Sequence, residues 1–240
     1  MIGGLISLML PCQCALCGAS GPGLLCAGCH AQFFSAAPAR CPVCANPLPG
    51  LAAMAGSGPV PCGRCLSGRP AFDATVVAAD YALPLDRLVL QLKFAGRLAL
   101  ARLFADLLAD AVRQARQPRA ALLCPVPLGS QRLATRGFNQ ALEIARPLGK
   151  SLGIAVSPQL AARVLETAAQ SSLPPGARHA NLAHAFAIPD RAMVEGRHIG
   201  LVDDVMSSGQ TLQELAATLK RHGAARVTNY VFARTPPHSN

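Results

Sequence analysis

Four cysteine pairs with the spacing C-x-x-C dominate the first third of the chain. In order, they are Cys14/Cys17, Cys26/Cys29, Cys41/Cys44 and Cys62/Cys65. Of the 10 cysteines, all but Cys124 lie at or before Cys65, and no Asp or Glu occurs before Asp73. A segment this short cannot easily build a sufficient apolar core and needs staples. Two residues between two thiolates let a tight turn aim both sulfurs at one ion.

We therefore predict two structural zinc sites, each held by four thiolates from two pairs. Sequential pairing is the simplest arrangement, but four pairs can be combined in three ways. Disulfides, a redox pair and an iron–sulfur cluster are the alternative interpretations. Cys12 and Cys124 are left over, Cys124 as an expected core residue, and His30 is a less favoured substitute ligand.

Composition and net charge limit the classes of protein to which this chain can belong. Apolar residues make up 51% and charged residues 14%, which excludes a disordered chain. No apolar run approaches the ~20 residues of a membrane span, and no signal peptide is recognisable. We expect a cytoplasmic protein with no membrane span and reduced thiols. The net charge of +10 favours anionic partners, although Arg-rich codon usage would have the same effect.

The pattern changes after residue 70, which we take as the boundary between a head (1–70) and a body (71–240). The body alternates β-rich runs with helical periodicity. Strands are predicted at 72–81, 120–126, 198–205 and 226–233, with a further candidate at 160–165. Helices are predicted at 84–93, 98–116, 139–148 and 211–222. This order indicates an α/β domain with a mainly parallel sheet flanked by helices.

The most informative segment runs from Gly200 to Thr211, GLVDDVMSSGQT. An apolar strand ends in two acids, Asp203 and Asp204, and a hydroxyl-rich turn then opens a helix. Ligands of open α/β sheets bind beyond the carboxyl ends of strands, and amides at a helix N-terminus bind phosphate. The acids suit ribose hydroxyls or Mg²⁺. A ribose that carries a phosphate and a metal-bound diphosphate would satisfy both halves of the segment.

This segment resembles the phosphoribosyl-diphosphate (PRPP) loop of type I phosphoribosyltransferases, which reads apolar strand, two acids, V-x-T-T-G-x-T. Ser207 and Ser208 replace the two threonines and keep the hydroxyls. The cysteine head and several further motifs resemble the ComF/GntX family, bacterial proteins with a double zinc ribbon on a phosphoribosyltransferase-like domain. Those motifs are Leu92–Phe94, Pro125–Leu128, Arg136–Gln140, and Gln170, Leu173, Arg178, Asn181, Ala185 and Phe186.

The resemblance implies a set of roles. Asp203 and Asp204 would be the catalytic acids, within a PRPP-binding loop completed by Ser207, Ser208, Gly209, Gln210 and Thr211. A pyrophosphate loop would span 126–136 with Pro127, Leu128, Arg132 and Arg136, and Lys93 nearby. A hood over the acceptor would span 167–181 with Gln170, Arg178 and Asn181. Mg²⁺ would accompany PRPP.

Two functions follow as expectations. The first is a phosphoribosyltransferase that binds PRPP with Mg²⁺ and transfers phosphoribose to an acceptor that the sequence does not identify. The second is a non-catalytic accessory or nucleotide sensor, because the family is associated with competence and DNA uptake. Its zinc ribbons would bind single-stranded DNA or a helicase. Aromatic residues make up only 4% and Trp is absent, so stacking platforms for bases are few.

Overall fold

The computed structural model describes residues 12–35, 38–48, 60–164 and 185–236. The head contributes short elements: β1 (Cys12–Gln13), β2 (Ser20–Gly21), α1 (Ala27–Phe34) and α2 (Gly63–Ser67). The first half of the body contains β3 (Ala74–Asp80), α3 (Leu85–Ala95), α4 (Ala99–Ala115), β4 (Leu122–Pro125), α5 (Ser130–Arg136) and α6 (Gln140–Leu152). The second half contains β5 (Ala155–Val156), β6 (Ala162–Arg163), β7 (Phe186–Ala187), β8 (His198–Met206), α7 (Gln210–Arg221) and β9 (Arg226–Arg234).

Five strands form one sheet in the order β3-β9-β8-β4-β5, and every neighbouring pair is parallel. A parallel sheet is buried on both faces, so its strands are apolar runs rather than alternating patterns. Helices α3, α4 and α6 share one apolar core with the sheet. Helix α7 shares the other core with the sheet and with Cys41, Cys44 and Cys65. The second half of the head is therefore continuous with the core beneath α7.

The central strands approach each other closely. A Cβ atom at Gly200 in β8 would lie 2.6 Å from the Tyr230 ring of β9 and 2.7 Å from Leu123 of β4. Only glycine leaves room for these side chains at that point. The missing side chain at Gly200 therefore lets Leu123 and Tyr230 pack over the centre of the sheet.

The predicted α/β architecture is confirmed, including four helices and four sheet strands with slightly shifted ends. Helix α6 runs four residues past the predicted end and contains Pro147. A Gly149-Lys150-Ser151 triplet lies at the end of this helix, rather than in a loop that opens one, so it is not a Walker A phosphate loop. The short elements α5 and β5 were not predicted, because two to seven residues carry too little periodicity.

Strands β6 and β7 form a separate antiparallel ribbon on either side of residues 165–184. The predicted hood residues Gln170, Arg178 and Asn181 lie outside the described residues. Of the candidate strand at 160–165, only residues 162–163 are in a strand, β6, and residue 165 lies outside the described residues. Among the helices of the described ranges, none combines the length and the apolar character needed to cross a membrane.

Candidate functional site

The sheet has a topological switch point between β4 and β8. From β4 the chain passes through α5 and α6 to β5 at one edge, whereas from β8 it passes through α7 to β9 in the opposite direction. The two connections diverge and leave a crevice at the carboxyl ends of β4 and β8, which is where open α/β sheets bind ligands. The Val126 amide, just past β4, donates to the Val202 carbonyl of β8 at 2.9 Å and closes the floor of the crevice.

The two acids lie at this end of β8 in different surroundings. Asp204 is 2% exposed, and its Oδ2 atom lies 2.9 Å from Nζ of Lys93, near the end of α3. Asp203 is half-buried and accepts a hydrogen bond at Oδ1 from the Asp204 amide at 2.9 Å. Burial, followed by the charge of Asp204, raises the pKa of Asp203 to about 8, against the opposing effect of Lys93. Asp203 is thus the acid that gains from a bound cation.

Residues 207–211, which we call the phosphate loop, join β8 to α7. Gly209 caps the helix with φ +81°, a left-handed conformation that favours glycine. Ser207 and Ser208 are exposed, and a cavity of about 40 Å³ is lined by the loop together with Asp203 and Val205. The first turn of α7 leaves amide groups without intrahelical partners, and the helix dipole is positive at this end. The loop can therefore hold a phosphate group.

The opposite side of the crevice comes from β4 and α5. Pro127 and Leu128 lie between the two elements, and α5 carries Arg132 and Arg136. Burial lowers the pKa of Arg136, whereas the negative charges of Asp204 and Asp203 raise it. The guanidinium therefore interacts electrostatically with the acid pair. Its Cζ atom also lies 5.6 Å from the centroid of the Phe94 ring, which is 74% exposed.

Asn139 fixes the segment after β4. Its Nδ2 group donates to the Val126 carbonyl at 3.0 Å, and its Oδ1 atom caps α6 by accepting from the Ala141 amide at 2.9 Å. Asn139 lies within the quoted Arg136–Gln140 motif but was not predicted as a site residue. Its identity as a preferred N-cap residue just before a periodic helix could have revealed this role.

The eight cysteines of the C-x-x-C pairs form two tetrads, Cys14/Cys17/Cys26/Cys29 and Cys41/Cys44/Cys62/Cys65. Within each tetrad all four sulfurs lie within 4.8 Å of one another. Two sulfur pairs are at 3.7 and 3.6 Å, matching the ~3.8 Å edge of a tetrahedron with zinc–sulfur bonds of about 2.3 Å. The tetrads fit two structural zinc sites, and the structure selects the sequential pairing.

Within the first tetrad the surroundings shift the pKa values of two cysteine thiols in opposite directions. Burial raises the pKa of Cys14, but the amides of Cys17 and Cys26 outweigh it and lower the value to about 6. Burial and the neighbouring thiols raise the pKa of Cys29 to about 12. Four thiolates can share such a site only with a cation to balance their charge, and a zinc ion would supply it. Cys12 and His30 are exposed and belong to neither tetrad, whereas Cys124 is fully buried in the core, as predicted.

Arg234 connects the second tetrad to the phosphate loop. Although it is only 4% exposed, it donates through Nε to the Cys44 carbonyl at 3.2 Å. Through Nη1 it donates to the carbonyls of Met206 at 2.8 Å and of Ser207. The predicted last strand stopped at Ala233, one residue short, so this arginine was missed. A cation directly after a buried apolar strand was the available signal.

Comparison with known proteins covers nearly the whole chain. A double zinc ribbon domain matches residues 5–66, and a phosphoribosyl transferase domain matches residues 98–239. The DNA utilization protein YhgH of Salmonella typhi is 40% identical over 199 residues, covering 81% of this chain and 84% of the relative. Competence protein F of Haemophilus influenzae is 32% identical over 215 residues, covering 88% of this chain and 90% of the relative.

Among solved structures, the glutamine PRPP amidotransferase of B. subtilis overlaps 55% of this chain and 25% of its own, with 18% identity and a TM-score of 0.36. That likeness is too weak to support an argument. The two domain matches span the head and most of the body, and the relatives share the same arrangement over most of their length. The chain therefore belongs to the ComF family, with a double zinc ribbon followed by a phosphoribosyltransferase domain.

Proposed function

We propose that this protein binds PRPP together with Mg²⁺ in the crevice between β4 and β8 and transfers the phosphoribosyl group to an acceptor. One observation supports this best: the phosphate loop, the acid pair and the basic residues of α3 and α5 surround the same crevice at the switch point of the sheet. A ligand that is anionic at both ends and hydroxylated in the middle matches this arrangement.

Each group has a role in the proposal. The phosphate loop holds the 5′-phosphate through backbone amides and the hydroxyls of Ser207, Ser208 and Thr211, with Gly209 and Gln210 shaping the turn. Asp203 and Asp204 face the ribose hydroxyls. Arg132, Arg136 and Lys93, with the backbone at Pro127 and Leu128, face the diphosphate. Gln170, Arg178 and Asn181 would belong to a hood over the acceptor.

The carboxylate oxygens of Asp203 and Asp204 are donors of the kind that Mg²⁺ prefers, so the acid pair fits the ion that PRPP carries. When bound, the ion would neutralise charge on the diphosphate. The bond between C1′ and the diphosphate oxygen breaks, an acceptor atom forms the new bond to C1′, and the acceptor's proton leaves. The residues contribute by orienting the ligand and stabilising the leaving diphosphate.

The test is a calorimetric titration of zinc-loaded protein with PRPP in the presence and absence of Mg²⁺. The native protein should bind, and Asp203→Asn/Asp204→Asn should weaken binding by at least tenfold. Asp106→Asn/Asp110→Asn is the matched control, because these exposed acids of α4 lie in surface ion pairs. Release of pyrophosphate with a panel of nitrogen acceptors then tests transfer. Absence of PRPP binding by the native protein would refute the proposal.

The names of the relatives favour a second candidate, a role in DNA utilisation in which the zinc ribbons bind single-stranded DNA or a helicase. Full-length protein should then bind an oligonucleotide with a clear salt dependence. Oligonucleotide binding without PRPP binding would favour this candidate over the transferase.

We place the domain boundary after residue 70, between the end of α2 and the start of β3. Thiolate zinc ligands favour the reducing cytoplasm.

A further inference from the structure

A second, larger cavity lies between the second cysteine tetrad and the phosphate loop. Its volume is about 230 Å³, and its walls include Cys65 of the tetrad and Gln213 of α7. Met206, Ser208, Gly209 and Gln210 line both this cavity and the smaller one at the phosphate loop. The two cavities therefore adjoin along the same turn of backbone, one on the ribose side and one on the zinc-ribbon side.

The larger cavity is strongly basic. Arg64 and Arg69 line it from the head, and Arg234 lines it from the end of β9. Within the described ranges no carboxylate pairs with Arg64 or Arg69, and the cavity wall contains no Asp or Glu. Two of the head's three basic residues thus face a cavity rather than a counter-ion.

Arg234 adds a buried cation to this wall. Its Nε and Nη1 atoms donate to four backbone carbonyls, those of Cys44, Met206, Ser207 and Thr235. Its Nη2 group donates to none of the described residues. The guanidinium is fixed by the surrounding backbone and retains hydrogen-bonding capacity. A rigid, planar, buried guanidinium suits a phosphate oxygen.

We propose that Arg64, Arg69 and Arg234 form a second phosphate subsite that continues from the phosphate loop. The ligand is a phosphorylated ribose whose 5′-phosphate bears a further phosphate-linked group, either as a diphosphate ester or as a phosphodiester. This inference rests on the proposed function for the position of the 5′-phosphate. In this proposal a ribose 5-monophosphate reaches only the phosphate loop, whereas the extended ligand also places negative charge among the three arginines.

The experiment compares three ligands by calorimetry with zinc-loaded, full-length protein and Mg²⁺. Ribose 5-phosphate carries the monoester, ADP-ribose carries the diphosphate, and a dinucleotide ending in an abasic ribose carries the phosphodiester. At least one of the two extended ligands should bind tenfold or more tightly than ribose 5-phosphate. The one that does so identifies the source of the second phosphate.

The variants Arg64→Ser and Arg69→Ser should each remove most of that preference and leave the affinity for ribose 5-phosphate unchanged. Arg87→Ser is the control, because Arg87 is also exposed and lies on α3 away from the cavity. Equal affinities for all three ligands, or a loss in Arg87→Ser equal to that in the cavity variants, would overturn the subsite. Failure of PRPP and ribose 5-phosphate, together with arginine-dependent binding of an extended ligand, would overturn only the proposed transferase. Failure of every ligand would overturn both.

Discussion

Replacing Asp203 with Asn should stabilise the ligand-free protein and abolish Mg²⁺-dependent binding of PRPP. Burial and the adjacent Asp204 charge raise the pKa of Asp203 to about 8, whereas an unfolded chain ionises this carboxyl near 3.8. The native state then retains a proton that the unfolded state has released. The free energy of unfolding therefore falls as pH rises from about 4 towards 8. An amide at this position carries no charge and removes that dependence.

The magnitude follows from the shift and from the exposure of the side chain. One pKa unit corresponds to about 1.4 kcal/mol, and the slope halves as pH reaches the native pKa, so a fully buried carboxyl would lower the free energy of unfolding by about 2.3 kcal/mol between pH 6 and pH 8. Asp203 is only half-buried, and water screens part of the effect. We expect Asp203→Asn to be more stable than the native protein by about 1–2 kcal/mol at pH 8, with a smaller advantage at pH 6.

Urea unfolding of zinc-loaded protein, followed by circular dichroism at pH 6 and pH 8, measures this difference. Asp106→Asn serves as the control, since Asp106 is exposed in a surface pair with Arg102 and should change stability by no more than about 0.5 kcal/mol. The reasoning is wrong if Asp203→Asn is less stable than the native protein at pH 8, or if both proteins show the same dependence on pH. The ligand titration must also show loss of PRPP binding.

Three further changes have defined outcomes. Arg234→Met should lower the free energy of unfolding, measured in urea, by about 3 kcal/mol, because it leaves buried carbonyls beside the tetrad and the phosphate loop without a hydrogen-bond donor. An unchanged midpoint of urea unfolding would contradict this. Gly209→Ala should lower the free energy of unfolding by about 1 kcal/mol, because φ is +81°, and should weaken the binding of PRPP measured by calorimetry. Gly96→Ala is the control, because its Cβ would lie in open space, and it should leave the affinity for PRPP unchanged. Burial lowers the pKa of His198, so the native state resists its protonation, and stability should fall as pH drops below about 6.5; His198→Gln should flatten that slope in urea unfolding.

The sequence was most informative where local patterns coincide with chemistry. Asp203 and Asp204 end an apolar run, and a turn rich in hydroxyl side chains and containing a glycine follows. One short segment therefore predicts the strand, the candidate site and the start of the helix. The long helices α3, α4, α6 and α7 were predicted for the same reason, because each repeats its apolar positions over several turns. Such features depend on neighbours within a few residues and need no knowledge of the fold.

Long-range features escaped prediction because their partners are distant in sequence. The sequential pairing of Cys14/Cys17 with Cys26/Cys29 was the simplest of three arrangements and the tetrads confirm it, but the spacing alone did not exclude the other two, because the pairing depends on which turns meet in space. Lys93 was expected near a diphosphate, yet the structure also pairs it with Asp204, 111 positions away. Arg234 reaches Cys44 across 190 positions. No local periodicity encodes such contacts.

The charge of the head shows why the zinc ribbon matters to the site. Its basic residues are Arg40, Arg64 and Arg69, and two sites of four thiolates with one zinc ion each would turn this formal excess into about −1. Arg40 pairs with Asp80 of β3 at 2.9 Å and so docks the head on the body, while the other two arginines line the cavity beside the phosphate loop. The ribbon therefore presents no broad cationic surface of its own. Two of its three arginines line the same cavity as Cys65 of the second tetrad and the loop residues Ser208 and Gly209, so the second tetrad and the proposed phosphate site share one wall.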